Sequence, residues 1–84
     1  MKIRIIKAEN RHETLIKSHH EVFEDKPEGV QVGEIYLDCR RYPASWRWQV
    51  GVVLKNGEKV SGFGYQRTFV DARDTLESFI KLNV

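Results

Sequence analysis

One cysteine, two prolines and no extended apolar run are what this 84-residue sequence has least of. The lone thiol, Cys39, excludes an intrachain disulfide, which fits a reducing compartment or a fold needing no covalent staple. The apolar runs, Ile5-Ile6 and Gly51 to Leu54, fall far short of the ~20 residues of a membrane-spanning helix. Lys2, Arg4, Lys7 and Glu9 interrupt the start of the chain, so no secretory signal is expected there. The resulting expectation is a cytoplasmic protein without a membrane partner.

Chemistry-bearing motifs are also scarce. The three histidines form no HxxxH or HExxH, and no CxxC is present. On a helix, His12 and His19 would share a face but stand about 10 Å apart, too far for one zinc ion. Cys39 alternates with Ile35 and Leu37 and is expected in the core, where a thiol is inert. Gly62-Phe63-Gly64 lacks the Lys-Ser/Thr ending of a phosphate loop. Asp71, Asp74 and Glu77 read as a solvated helix face near a positive N-terminus. No nucleophile, base and orienting group assemble, so neither enzyme activity, nor a metal, nor a cofactor is expected.

What is present has the makeup of one globular domain spanning residues 1–84, with 40% hydrophobic and 31% charged residues. A domain of this size buries roughly 60–65% of its unfolded surface, enough for one thin core. The net charge of +2 conceals a polarity: residues 1–8 carry +3, residues 9–39 carry −5, residues 40–70 carry +5 and residues 71–84 carry −1. Such asymmetry marks a partner-facing surface or simply segments that attract one another.

Alternation of Ile3 and Ile5 with Lys2, Arg4 and Lys7 predicts a strand over residues 2–7. Leu15, His19 and Val22 recur at helical spacing, widened by Ile16 and Phe23, and Asn10 with Glu13 has the capping-box spacing. Together these predict a helix over residues 11–24. Residues 30–39 read as a strand with Ile35, Leu37 and Cys39 on one face and Glu34, Tyr36 and Asp38 on the other. Asn56-Gly57 predicts a two-residue type I′ turn joining strands 47–55 and 58–65. That turn would set Trp48 opposite Tyr65, Val50 opposite Phe63 and Val52 opposite Ser61 on a bulky core face. The other face would be a flat strip of Arg47, Gln49, Gly51, Gly62 and Gly64. Thr68 with Asp71 caps a final helix with Ala72, Leu76, Phe79 and Ile80 as its buried stripe. The expected fold class is α+β in the order β-α-β-β-β-α, an antiparallel sheet with two helices packed on one face.

The densest cluster of recognition chemistry runs from Arg40 to Trp48, where three arginines interleave with three aromatic residues. Guanidinium groups neutralise phosphates and rings stack on bases, whereas Arg and Trp also dominate protein–protein hot spots. Alternatively, Trp48 is core, Trp46 sits at a rim and the arginines only solubilise. The expected partner-binding residues are Arg40, Arg41, Tyr42, Trp46 and Arg47, with Tyr36 and Gln49 on the open face. Trp48 is assigned to folding; Arg40, Arg41, Trp46 and Arg47 are assigned more to binding.

From residue 11 onward the expected order is α-β-β-β-α, and Gly62-Phe63-Gly64-Tyr65-Gln66-Arg67-Thr68-Phe69-Val70-Asp71-Ala72 resembles the third strand and helix entry of a double-stranded-RNA-binding domain. In that family a Gly-x-Gly strand end precedes a Ser/Thr cap with Ala four residues on, a spacing Thr68 and Ala72 keep. The resemblance implies RNA binding through lysines at the helix start. Phe69, Val70 and Asp71 stand there instead, and only Arg73 follows Ala72. The resemblance thus extends to topology more than to function. Small βββα proteins also include compact inhibitors that bind a host protein. The favoured expectation is a non-enzymatic binding module, a regulator or inhibitor acting by protein contact. A nucleic-acid-binding module using the same arginines with Lys55, Lys59 and Arg67 is the alternative, and a homodimer through an edge strand is a third reading.

Overall fold

The computed structural model describes residues 1–9 and 15–84. Among these residues five strands run β1 (Ile3–Lys7), β2 (Ile16–Glu24), β3 (Gln31–Asp38), β4 (Ser45–Val53) and β5 (Lys59–Gln66), followed by one helix, α1 (Phe69–Asn83). Each strand pairs antiparallel with the next, so the sheet order is β1-β2-β3-β4-β5. The helix lies across β3, β4 and β5 on one face.

The expectation of two helices is therefore corrected: residues 16–24 form β2, paired on both sides by β1 and β3. The Asn10–Glu13 capping box and His12 lie outside the described residues. The physical reason for the difference is a bulge. Ser18 and His19 together oppose Tyr36, because Lys17 pairs with Leu37 and His20 with Ile35. Ser18 takes the left-handed conformation (φ 50°) that such a kink uses. The extra residue breaks the period-two alternation and leaves His19 and Val22 at a spacing that mimics a helix. Cross-strand pairing then decides between two locally ambiguous readings.

The β4–β5 turn is also corrected. Gly57 N–H donates to Leu54 O, and Leu54 N–H donates to Glu58 O. Gly57 has φ +88° and Asn56 is not in the positive-φ region. This is a three-residue turn, Lys55-Asn56-Gly57, of the type I plus bulge kind, not the two-residue type I′ turn. One additional loop residue shifts the register by one, and β5 is turned over. Trp48 pairs with Gly64, Val50 with Gly62 and Val52 with Val60. Phe63 and Tyr65, expected beside Trp48, point instead to the open face with Arg47 and Gln49.

The core follows from this register. Val22, Ile35, Trp48, Val50 and Val52 meet Ala72, Leu76 and Ile80 of α1, with Ile3, Ile5, Trp46, Phe69 and Phe79 around them. Thr68 Oγ1 accepts the Asp71 N–H at 3.1 Å and starts the helix as expected. The glycines of β5 lie beneath α1. A Cβ at Gly62 would sit 2.6 Å from the Phe79 ring, and one at Gly64 would sit 2.7 Å from the Trp48 indole nitrogen. Gly→Ala at either site overpacks the helix face and should destabilise the domain by about 1–3 kcal/mol in denaturant melts. Gly64→Ala should cost more, since the Trp48 indole is buried and Phe79 is only partly so. Equal stability of Gly64→Ala and the parent would contradict the packing.

Candidate functional site

The open face of the sheet carries Glu34, Tyr36 and Asp38 of β3, Arg47, Gln49 and Gly51 of β4, and Lys59, Ser61, Phe63 and Tyr65 of β5, by their cross-strand pairing. No helix covers it. Its side chains form one connected polar and aromatic network. His19 Nε2 lies 2.7 Å from a Glu34 carboxylate oxygen. Gln49 Nε2 donates to the other Glu34 oxygen. Arg47 Nε donates to Gln49 Oε1 at 3.0 Å, and Arg47 NH1 donates to the Tyr65 hydroxyl at 2.8 Å. The Arg47 guanidinium also lies 4.6 Å from the Phe63 ring centroid and 5.3 Å from that of Tyr65. Arg41 reaches back from the β3–β4 turn to sit 3.8 Å from the Tyr65 ring centroid.

The result is a ladder of Arg41, Tyr65, Arg47 and Phe63. Cation–ring contacts of this kind contribute roughly 0.5–1 kcal/mol each where exposed, and they hold two long side chains in place. Phe63 remains 65% exposed. Tyr36 lies against the edge of the His19 ring at 5.9 Å between centroids and is itself buried. That burial raises the Tyr36 hydroxyl above its ordinary pKa. Beside the ladder, a shallow depression of about 580 Å³ is lined by Arg47, Gln49, Gly51, Lys59, Ser61 and Phe63 among others. Among the described residues no carboxylate lines it.

The seven residues expected to bind a partner are not all brought together. Arg41, Arg47, Gln49 and Tyr36 join on the open face. Trp46, one residue before the expected strand 47–55, lies within β4, and alternation with Arg47 sends it to the helix face. There it meets Phe69 (centroids 5.5 Å apart) and His20, whose ring lies 4.6 Å from that of Phe69. That setting makes Trp46 a packing residue. Tyr42 is fully exposed at the tip of the β3–β4 turn. Arg40 folds back on Asp38 through two guanidinium bonds of 2.9 and 3.1 Å, with its backbone N–H making a third bond. Asp38 is 2% exposed, so Arg40 has a structural task. Cys39 is half-buried beside it at the strand end.

Two residues of the ladder, Phe63 and Tyr65, escaped the sequence reading because the assumed turn length put them in the core. Among the described residues no group of three His, Cys, Asp or Glu side chains gathers as metal ligands. Among the described residues no helix is long and apolar enough to cross a membrane. Comparison with protein-family models, curated proteins and solved structures finds no match to this chain.

The hydrogen bonds from Arg40 hold the Asp38 carboxyl below its ordinary pKa, against the opposing effect of burial. A depressed folded-state value means the pair stabilises the fold above the ordinary carboxylate range, near pH 4, and that this contribution is lost as pH falls through the lowered value. Arg40→Ala should cost about 1–3 kcal/mol at neutral pH by leaving a buried acceptor short of partners. The deficit should shrink as pH falls from the ordinary carboxylate range through the lowered Asp38 value. Urea melts across that range check both; a pH-independent deficit would contradict the assignment.

Proposed function

We propose that this chain is a small non-enzymatic binding module, a regulator or inhibitor that acts by contact with a protein partner through the open face of its sheet. The observation that carries the reading is the Arg41–Tyr65–Arg47–Phe63 ladder, with an exposed aromatic ring at its end. Tyr, Trp and Arg are the residues that dominate protein–protein hot spots. Arginines already fixed by ring and hydrogen-bond contacts lose little side-chain entropy when a partner arrives. Tyr36 and Gln49 form the floor beside them. The single free thiol agrees with a cytoplasmic setting.

Nucleic acid is the second reading, favoured by one specific observation: Phe63, with Arg47 over its ring, is 65% exposed and lines one depression with Lys59, which suits base stacking beside a phosphate. Against it, Glu34 belongs to the same network, and the donors of Arg47 already serve Gln49 and Tyr65. A carboxylate inside the patch repels a polyphosphate and suits a protein surface of mixed charge.

The test is capture of the partner from a lysate, with and without nuclease, followed by titration of the recovered complex. Arg41→Ala, Arg47→Ala and Phe63→Ala should each weaken it by about tenfold or more while shifting the melting midpoint little. Raising salt from 50 to 200 mM should change the affinity by less than tenfold. A loss of about 100-fold, as for four released phosphate counterions, or loss of the complex on nuclease treatment, would replace the protein reading by the nucleic-acid one.

A further inference from the structure

The lateral edge of β5 is distinct from the face of the sheet. β5 pairs with β4 alone and stands at the end of the strand order. The Leu54 N–H bond to Glu58 O makes Leu54 and Glu58 the hydrogen-bonded pair next to the turn. Antiparallel ladders alternate such pairs. Val60, Gly62, Gly64 and Gln66 therefore direct their backbone groups to β4, and Lys59, Ser61, Phe63 and Tyr65 direct theirs outward. No backbone hydrogen bond among the described residues ties these four to another element.

Edges of this kind are usually blunted by short length, proline, bulges or charge. β5 has eight residues, no proline and one register along its whole length. Its charges are confined to Lys59 at one end and Arg67 just past the other. The opposite edge, β1, is five residues long and carries Arg4 and Lys7. β5 is thus the edge left open to pairing.

The charges around it select the occupant. Lys59 lines the depression on the open face with Arg47, Ser61 and Phe63, without a carboxylate. Arg41 lies over Tyr65 farther along. A second copy of the chain fits poorly. Antiparallel self-pairing centred on Phe63 sets Lys59 opposite Arg67 twice. Centred on Gly62, it sets Lys59 opposite Tyr65, where Arg41 already sits. Like charges directly opposed destabilise a ladder. An acidic strand meets the opposite situation at every one of these positions.

We propose that β5 is a strand-addition site that takes an extended, acidic segment of a protein partner as a sixth strand. This rests on the reading of the chain as a protein-contact module. Main-chain bonds to Ser61, Phe63 and Tyr65 supply the pairing, and alternate side chains of the added strand reach the open face. Carboxylates there meet Lys59 and Arg41, and the intervening apolar side chains of the added strand fall on the helix side of the sheet.

The probe is an acetylated, amidated octapeptide of alternating glutamate and valine, titrated into the isotopically labelled full chain and followed by amide NMR and hydrogen exchange. A lysine–valine peptide is the control. Shifts and slowed exchange at the Ser61, Phe63 and Tyr65 amides, at least tenfold weaker with the lysine peptide, are expected. Ser61→Pro removes one outward donor without touching the β4 ladder and should abolish binding. If that variant unfolds, Lys59→Glu with Arg67→Glu keeps the backbone intact and should reverse the peptide preference. Unperturbed outward amides, equal binding of both peptides, or a free chain that sediments as a dimer with those amides protected would overturn the proposal. A lysate partner kept by Ser61→Pro but lost by Phe63→Ala would sink strand addition alone. One kept by both would sink the contact reading as well.

Discussion

One turn residue governs the arrangement of this domain. Gly57, at φ +88°, lets the chain close over three loop residues rather than two. That choice decides which side chains of β5 lie under α1. Gly62 and Gly64 go inward, where the Phe79 and Trp48 rings occupy the space a Cβ would fill. Phe63 and Tyr65 go outward, where two arginines find them. The helix could not lie as close to the sheet in the other register, because two aromatic rings would intervene. Core packing and surface chemistry are therefore set by the same parity.

The two faces divide the labour accordingly. The helix face holds the apolar burial that stabilises a domain this small, with His20, Trp46 and Phe69 closing its end near the start of α1. The open face holds a network running from His19 through Glu34, Gln49 and Arg47 to Tyr65 and Arg41. Each member limits the freedom of the next, so the face is ordered before a partner arrives. Basic charge concentrates toward β5, and acidic Glu34 sits toward β3. A partner with carboxylates along one edge and apolar groups beside them matches that gradient.

Much of the fold was legible in the residues. The alternation of β1 and β3, the Asn-Gly punctuation, the Thr68 cap and the Ala72–Leu76–Ile80 stripe all correspond to observed elements. β2 was not legible, because its bulge at Ser18–His19 disguises a period of two as one closer to a helix. Asn-Gly announces a turn but not its length, since the pair serves equally as the centre of a type I′ turn or the end of a type I turn with a bulge. The glycines carried the missing signal: Gly62 and Gly64 share a parity, and a helix with Phe79 on its inner side requires small residues beneath it. The candidate site was half legible. Arg47, Gln49 and Tyr36 follow from alternation alone, and Arg41 from its place just past the end of β3. Trp46 shares its parity with Trp48 and belongs with the packing residues, while Arg40 answers a buried Asp38 that sequence spacing does not reveal as buried.

The register of β4 against β5 is the claim from which the rest descends, and NMR measures it directly. In antiparallel pairs that are not hydrogen-bonded, opposing Hα atoms approach closely enough for strong cross-strand contacts. The three-residue turn predicts Hα–Hα contacts between Gln49 and Phe63 and between Gly51 and Ser61, whose Cα atoms are partners. Contacts between Val50 and Phe63 and between Val52 and Ser61 would instead restore the two-residue turn. They would return Phe63 and Tyr65 to the core and dissolve the arginine–aromatic ladder.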